Sequence, residues 1–313
     1  MMRAASMIGV GCAIACTAPS KPTTKPTIWL TPSPTIDPTA LPLGDQKYVA
    51  DAPRAGAIFT CDPRMFQMTG GPGPVAVGAW VDRSAGTYDV TQKVWVGGEV
   101  EFPDASFAIA VDGDRRTIRG NGLPVAESTG VYPVGPSDPA YRYDPNPNPI
   151  TRQDIAFAIP AQPTLASTVS CTYKEVGITI DGVELQGPLN STGNDELAYN
   201  IQDSCSGGSQ PGGRYHRHSL GDCVPRIHER NALVGYALDG FGIFSPYDRD
   251  GNERTSADLD ECHGTTSEIE WDGKRVTMYN YVLTRDYPYT VACFRGTPTR
   301  NAFPSLPGEP PQR

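Results

Sequence analysis

Two histidines, two residues apart, are the side chains of this sequence best suited to hold a metal ion. His216 and His218 lie in the segment Gly-Arg-Tyr-His-Arg-His-Ser-Leu, and the chain has four histidines in all. On a β-strand both imidazoles would project from one face, because side chains alternate along a strand. Such a pair can supply two nitrogen ligands to zinc or copper. The alternative is that both rings are hydrogen-bonded or exposed polar groups without a metal.

Two nitrogen ligands do not complete a zinc site, so a third donor is needed. The candidates are His263 and the adjacent carboxylates Asp260 and Glu261. They reach the pair only if the segments around residues 216 and 261 face each other in the fold. A metal-dependent enzyme with Glu261 as its acidic base is a further hypothesis. The fourth histidine, His228, stands beside Glu229 and Arg230 and is typical of a solvated loop.

Calcium is a less favoured cofactor than zinc or copper. Oxygen ligands cluster at Asp248, Asp250, Asn252 and Glu253, but Gly251 comes too early for an EF-hand loop, and Asp-Gly-Asn is an ordinary hairpin tip. Neither a Gly-x-Ser-x-Gly elbow nor a His-Glu-x-x-His motif nor a phosphate-binding glycine loop is present.

Composition predicts an all-β protein with short helices at most. Among 313 residues, 33 are Gly and 31 are Pro, and the charged fraction is 19%. This mixture favours turns and short strands over long helices. The formal net charge of -9, without any basic run, argues against a nucleic-acid partner.

The first sixteen residues are typical of a secretory signal. One arginine is followed by a short apolar run and then small residues, which is too short to span a bilayer. Ala-Ile-Ala-Cys, ending at Cys16, resembles a bacterial lipobox whose cysteine becomes lipidated after cleavage. We therefore expect export to the cell envelope, with the membrane as a partner through a lipid anchor at Cys16. A plain cleaved signal with secretion, or an uncleaved start, is the alternative.

The remaining chain divides by composition into four parts. Residues 17–50 are rich in Thr and Pro and predict an extended linker. Residues 51–165 predict an N-terminal β region, either a separate domain or part of the next one. Residues 166–296 contain an internal duplication, and residues 297–313 form a Pro-rich tail expected to fray.

Asp-Gly pairs predict tight turns between strands. They occur at Asp112-Gly113, Asp181-Gly182, Asp239-Gly240, Asp250-Gly251 and Asp272-Gly273. Gly97-Gly98, within Val94–Phe102, predicts another hairpin. The matched aspartates 181 and 239 are interpreted as turn residues, not as a catalytic carboxylate pair.

A duplicated β unit explains the spacing of several motifs. The segment from Val176 to Gly182 matches the segment from Val234 to Gly240 at an offset of 58 residues, and Asp203-x-Cys-x-Gly matches Asp260-x-Cys-x-Gly at an offset of 57. A Tyr-x-x-x segment and a cysteine follow in each copy. The expected architecture is a β-sandwich-like, disulfide-bonded domain that contains both copies.

Six cysteines remain once Cys12 and Cys16 are assigned to the N-terminal segment, and they predict three disulfides in an oxidising compartment. Pairing each copy within itself joins Cys205 to Cys223 and Cys262 to Cys293, which leaves Cys61 for Cys171. A swapped pairing between the copies satisfies the same symmetry and stays open.

The ordered motifs from about Val77 to Gly296 resemble the YHYH domain family of exported proteins. They are Asn121–Pro124, Phe157–Pro160, Gly235–Gly240, Leu259–Cys262, Asp286–Tyr289 and Cys293–Gly296, together with Tyr215-His-Arg-His218. The resemblance implies no established biochemical activity. The chain departs from the family pattern in its second motif, Tyr279-Asn-Tyr-Val282, which has no histidine. A site that needs four or five imidazoles is therefore excluded.

These observations together predict an exported, lipid-anchored protein with a binding role outside the cytoplasm. Its ligand is a transition metal held by His216 and His218 or an unknown small molecule or surface partner. The alternatives are a structural cell-surface protein without metal and a metal-dependent enzyme.

Overall fold

The structure of the protein, a computed structural model, describes residues 36–67, 74–219, 221 and 223–304. The predicted signal at residues 1–16, the lipidation site Cys16, the linker up to residue 35 and the tail beyond residue 304 lie outside the described residues. Among the described residues, no helix combines the length and apolar character needed to cross a membrane.

The described chain is almost entirely strand and loop, which confirms the all-β prediction. The strands are β1 Leu41–Pro42, β2 Tyr48–Val49, β3 Ile58–Phe59, β4 Val81–Asp82, β5 Thr87–Tyr88, β6 Val100–Glu101, β7 Phe107–Asp112, β8 Arg115–Gly120, β9 Ser128–Thr129, β10 Ile155–Pro160, β11 Glu175–Thr179, β12 Glu184–Gln186, β13 Gly207–Gln210, β14 Arg214–Arg217, β15 Leu233–Ala237, β16 Gly242–Phe244, β17 Gly264–Trp271 and β18 Lys274–Val282. One α-helical turn, α1 Glu196–Tyr199, and short 3₁₀ turns at Pro63–Phe66, Val90–Gln92, Pro139–Arg142 and Ser256–Asp258 complete the described elements.

An eight-stranded sheet forms the centre of the fold, in the order β13-β14-β12-β11-β15-β16-β18-β17. Its two central strands, β11 and β15, pair antiparallel with Ile178 opposite Tyr236. We call β11 to β14 the early half and β15 to β18 the late half. Each half runs outward as a hairpin, then a parallel pair, then an antiparallel edge pair. The two halves therefore lie side by side in one sheet.

A tyrosine packed over a glycine anchors the edge of the early half. The Tyr215 hydroxyl donates to both carboxylate oxygens of Asp203 at 3.0 and 2.9 Å, and that carboxylate also accepts from the backbone of Cys205 and Gly207. A Cβ on Gly207 would lie 2.2 Å from the tyrosine hydroxyl. The Asp-x-Cys-x-Gly spacing is thus explained by one carboxylate that closes a turn beneath a tyrosine.

The late half has the same anchor. The Tyr279 hydroxyl donates to Asp260 at 3.0 Å, and Asp260 accepts from the backbone of Cys262 and Gly264. A Cβ on Gly264 would again lie 2.2 Å from the hydroxyl. Both copies of the motif identified in the sequence therefore make one local structure.

The hairpin aspartates differ in their partners. Asp181 forms a fully buried ion pair with Arg217, with 2.8 Å between Nη1 and Oδ2. Asp239 instead accepts from the Tyr281 hydroxyl at 2.6 Å and from the backbone of Gly296 at 2.9 Å. Both residues sit in turns, as predicted, and both also tie the turn to a neighbouring strand.

Strands β7, β8 and β10 form a second, three-stranded sheet that packs on the large one. Ile118 and Ile159 of this sheet share one hydrophobic core with Ile178 and Phe241. A second core joins apolar residues of the N-terminal region, among them Leu41, Trp80 and Val96, to helix α1 and to Tyr289. The N-terminal β region therefore packs against the eight-stranded sheet in the same structure.

Both boundaries of the folded region extend beyond the predicted ones. Leu41 and Leu43, which the sequence assigns to the linker, are buried, and β1 pairs with β5. Ala302 and Phe303 of the predicted tail are buried as well. The apolar residues of these Thr- and Pro-rich segments pack against the folded region, which composition alone does not indicate.

The Asp-Gly pairs lie in turns, and four of them connect adjacent antiparallel strands. Asp272 and Gly273 both have positive φ, as the tightest hairpin turn requires. Gly97-Gly98 does not make the expected hairpin: β6 pairs with β9, and the Gly97 backbone donates to Asp138. A tertiary contact from another loop replaces the local turn there.

Three disulfides close the fold. They join Cys61 to Cys171, Cys205 to Cys223 and Cys262 to Cys293, with Cα separations of 5.0, 5.3 and 4.5 Å. This is the pairing that treats the two halves alike, whereas the swapped pairing would have to span several strands of the sheet.

Peptide mapping tests this pairing. Proteolysis of the oxidised protein under non-reducing conditions should release the linked fragments 205 with 223 and 262 with 293, identified by mass spectrometry before and after reduction. A fragment that links Cys205 or Cys223 to Cys262 or Cys293 would contradict the side-by-side arrangement of the halves.

Removal of Asp181 tests the buried ion pair. In Asp181→Ala the Arg217 guanidinium loses its counter-charge while still buried, so we expect a loss of about 3–5 kcal/mol in the free energy of unfolding. Urea denaturation followed by tryptophan fluorescence measures it. Glu229→Ala breaks the exposed pair with Arg226 and serves as control, with an expected loss below about 0.5 kcal/mol. Equal losses in the two variants would show that the buried pair has no special role.

Candidate functional site

A polar cleft lies over the early half of the sheet. Its volume is about 1120 Å³, and its lining includes His216 and His218 of the sequence prediction, together with Glu196, Asn200, Gln202 and Gln210. The lining also includes residues of β12, β13 and β14, the strands that we call the floor of the cleft.

Strand alternation explains which side chains face the cleft. His216 lies opposite Glu184 on the parallel neighbour β12 and opposite Gly208 on the antiparallel neighbour β13, so their side-chain positions share a face. Tyr215 and Arg217 point to the other face, where they meet Asp203 and Asp181. The anchors on one face thus hold β14 so that its histidine is presented on the other.

The two imidazoles meet through their Nε2 atoms, which are 3.0 Å apart. Nδ1 of His218 contacts the Gly187 carbonyl oxygen, and Nδ1 of His216 lies 3.4 Å from the Arg214 carbonyl oxygen. A carbonyl oxygen only accepts, so a neutral His218 ring has its proton on Nδ1 and a lone pair on Nε2. The Nε2–H of His216 then donates to that lone pair.

The carboxylate of Glu196 lies close to the histidine pair. Its Oε1 lies 3.6 Å from His218 Nε2, and both side chains are about nine-tenths buried. Glu196 is the first residue of α1, which is capped by the Asp195 carboxylate accepting from Leu197 and Ala198 backbone amides. Asp195 also accepts from the Tyr289 hydroxyl at 2.7 Å, so this buried network holds the helix in place.

Burial controls the charge of these groups. Desolvation lowers the pKa of His218 to about 4 and that of His216 well below its ordinary value, so both rings are neutral at pH 7. Desolvation also raises the pKa of Glu196 to about 7, partly opposed by the positive charges of Lys93 and Lys174. The same effect lowers the pKa of Lys93 to about 7.

A second charged group lies beside the histidines. The Arg214 guanidinium is 3.0 Å from Glu184 and 3.8 Å from Glu175, and all three side chains are at most 5% exposed. Gln186 donates to Glu184 at 2.6 Å. Arg214 also donates to the Pro304 carbonyl, which ties the end of the described chain to the cleft.

The donors predicted from the late half do not join the histidine pair. His263 is buried, and its Nε2 pairs with the Thr284 hydroxyl at 2.9 Å, whereas Glu261 binds Arg295 at 3.0 Å. Asp260 belongs to the Tyr279 anchor. Strands β14 and β18 are five strand spacings apart in the sheet, or about 24 Å. Because the halves lie side by side and do not face each other, the expected third ligand is not among these residues.

The loop considered for calcium is closed by its own hydrogen bonds. Asp248 accepts from the backbone of Asp250 and Asn252, and Glu253 pairs with the buried Arg285 at 2.6 Å. This is the hairpin tip expected from Asp-Gly-Asn. Across the described part of the chain, no group of three or more His, Cys, Asp or Glu side chains already has the geometry of a metal site.

Sequence reasoning missed Glu196 and Lys93. The only local signal was Asp195 followed by an acidic residue, which is a common helix start. Nothing in the sequence connects that start with a strand twenty residues later, because the contact depends on how the intervening loop returns over the sheet.

Comparison with known proteins identifies the region around this cleft. The family model described as "YHYH protein" matches residues 156–257, about a third of the chain. This range contains β11 to β16 and all but the first residue of β10, and hence both histidines and Glu196, but it ends before β17 and β18. It is shorter than the stretch from Val77 to Gly296 over which the motifs resemble the family.

Searches of curated proteins and of solved structures found no match. The family match agrees with the ordered motifs of the sequence and covers the strands that form the floor of the cleft. Residues 156–257 of this chain thus match the YHYH protein family, to which the motifs of the sequence also point.

Proposed function

We propose that the chain is an exported binding protein whose ligand site is the cleft at His216 and His218. The observation that carries the proposal is the set of polar side chains that line a cleft of about 1120 Å³. Buried polar groups cost free energy unless they are satisfied. Their concentration on one face of a disulfide-bonded fold supports a binding role over a structural one.

The lining indicates the chemistry of the ligand. It includes eight carboxamide side chains, at Asn146, Asn148, Asn190, Asn200, Asn301, Gln186, Gln202 and Gln210. It also includes four carboxyl groups, at Asp62, Asp144, Glu175 and Glu196, against the two basic groups of Arg64 and Lys174. Carboxamides both donate and accept hydrogen bonds. The cleft is therefore suited to a small neutral or cationic ligand with hydroxyl or amide groups.

Export and lipid anchoring are part of the proposal. Three disulfides favour an oxidising compartment. The signal-like residues 1–16, with Cys16 at the end of a lipobox-like segment, support delivery to the cell envelope and attachment there. The membrane would then hold the protein without contributing to the cleft.

Filling the cleft tests the binding role. An ideal Cβ on Gly208 meets no atom closer than 3.7 Å, and its position is opposite His216, so Gly208→Leu places a side chain in the cleft without a backbone clash. With a chelator present, we expect neutral N-acetylated sugars or dipeptides to bind saturably to the wild-type protein in ligand-observed NMR. Gly208→Leu should weaken that binding at least about tenfold, since it occupies the ligand volume.

Gly135→Leu is the matched control, because an ideal Cβ at Gly135 has no neighbour within 4 Å and lies outside the cleft lining. It should bind as the wild type does. If no member of the panel binds, or if both leucine variants lose binding equally, the cleft is not the ligand site.

Substitution of Cys16 tests the anchor. When the full chain is expressed in a bacterial host with radiolabelled palmitate, the wild-type protein should carry the label and enter the detergent phase, while Cys16→Ser should do neither. Cys12→Ser should still be labelled, because Cys12 is not at the predicted cleavage point. An unlabelled wild-type protein in the medium would support the plain signal.

A further inference from the structure

The histidine pair has the arrangement that metal-binding histidines usually have. In most metal sites a ligating imidazole donates its other ring N–H to a carbonyl or carboxylate, which fixes the tautomer and orients the ring. Here the Nδ1 atoms of both rings face backbone carbonyl oxygens, those of Arg214 and Gly187. Both Nε2 atoms are thereby directed toward each other, 3.0 Å apart.

This separation suits two ligands of one ion. Nitrogen ligands that lie 2.0–2.1 Å from zinc, at angles between square and tetrahedral, are separated by roughly 2.9–3.4 Å. The 3.6 Å between His218 Nε2 and Glu196 Oε1 is a little longer than a tetrahedral pair requires. Because no group of three such side chains among the described residues could hold an ion as it stands, binding by all three side chains requires the Glu196 carboxylate to move toward the imidazoles.

We propose that His216, His218 and Glu196 bind one zinc or copper(II) ion at the floor of the cleft. The inference rests on the proposed function of the cleft as the binding site, and it replaces His263 and Glu261 by Glu196 as the source of the third ligand. Two imidazoles and one carboxylate form a ligand set that zinc uses when a further position is left for water or another molecule. That position would face the cleft.

The protons of the two imidazoles can rearrange so that a metal ion replaces the hydrogen bond between them. In the metal-free protein the Nε2–H of His216 donates to His218. On metal binding this proton leaves Nε2, and Nδ1 is protonated instead, where the Arg214 carbonyl accepts it. Both rings remain neutral, and Glu196 binds as the carboxylate. The divalent ion then takes the place of the proton between the two rings.

The positively charged side chains around the site do not prevent the binding of a metal ion. Lys93 donates to the Leu197 carbonyl and to Gln202, and Lys174 donates to Gln210 at 2.8 Å, so both cations have oxygen partners. The Arg214 guanidinium is held by Glu184 and Glu175. With these cations engaged, Glu196 is the carboxylate adjacent to His218.

Titration calorimetry of the full oxidised protein with Zn²⁺ and with Cu²⁺ tests the proposal. We expect one ion per chain, about 100-fold weaker binding in His218→Ala and in His216→Ala, and about 10- to 100-fold weaker binding in Glu196→Gln. Glu196→Gln keeps the shape of the side chain, so its unfolding midpoint should stay close to that of the wild type. The Cu²⁺ form should show electron paramagnetic resonance splitting from two imidazole nitrogens, reduced to one in His218→Ala.

Two further histidine variants are matched controls. His228→Ala removes an imidazole that is not part of the cleft lining, and His263→Gln removes the ligand expected from the sequence; neither should change the affinity. Absence of saturable uptake by the wild-type protein overturns the metal site. Loss of binding in His263→Gln, or unchanged binding in folded Glu196→Gln, overturns the assignment of the third ligand.

The metal titration tests the metal inference independently of the NMR test of the proposed binding role of the cleft. If metal fails to bind but the organic panel still binds in a Gly208-sensitive manner, the metal inference fails and the proposed function stands. If metal binds as described but no organic ligand does, the metal inference stands and the proposed binding of an organic ligand in the cleft fails.

Discussion

The antiparallel pairing of β11 with β15 is the constraint from which the arrangement of this protein follows. Because these strands are the innermost members of the two halves, the eight strands form one continuous sheet. The histidine-bearing strand β14 and its counterpart β18 are consequently placed toward opposite edges. No donor on the late half can reach the imidazoles across the intervening strands, so the chemistry at each edge must be assembled from residues that lie above it.

The two halves use the same anchors but present different surfaces. Each has a tyrosine hydroxyl on an Asp-x-Cys-x-Gly turn, with a glycine that no larger residue could replace. His216 in the early half corresponds in register to Asn280, which donates within its own sheet to Ser267. Anchors and presented residues alternate along the strand. The presented residues can therefore change while the anchors, and with them the backbone, stay the same.

Burial of polar groups has an energetic cost. On β12 the early half buries polar side chains at positions where β16 of the late half has glycine or an apolar residue. Glu184, Gln186 and Arg214 are almost fully buried beside the cleft, whereas residues 242 to 244 of the late half are Gly, Ile and Phe. Desolvation raises the pKa values of Glu184 and Glu196 to about 7 and keeps the imidazoles neutral. Desolvation therefore disfavours charge both on the acids and on the imidazoles of this region.

Local signals were sufficient for much of the fold. Asp-Gly pairs mark turns because their backbone preferences act within four residues, and the repeated spacing of Asp, Cys, Gly and Tyr reflects one turn closed by one carboxylate. The YHYH resemblance, the all-β class and the proximity of His216 to His218 follow from such short-range patterns. The position of Glu196, the burial of Leu41 and Phe303 and the separation of His263 from the site do not. They depend on the side-by-side joining of the two halves and on the return of the loop that carries α1. Both features depend on contacts between residues far apart in the sequence, and no short window of sequence contains such contacts.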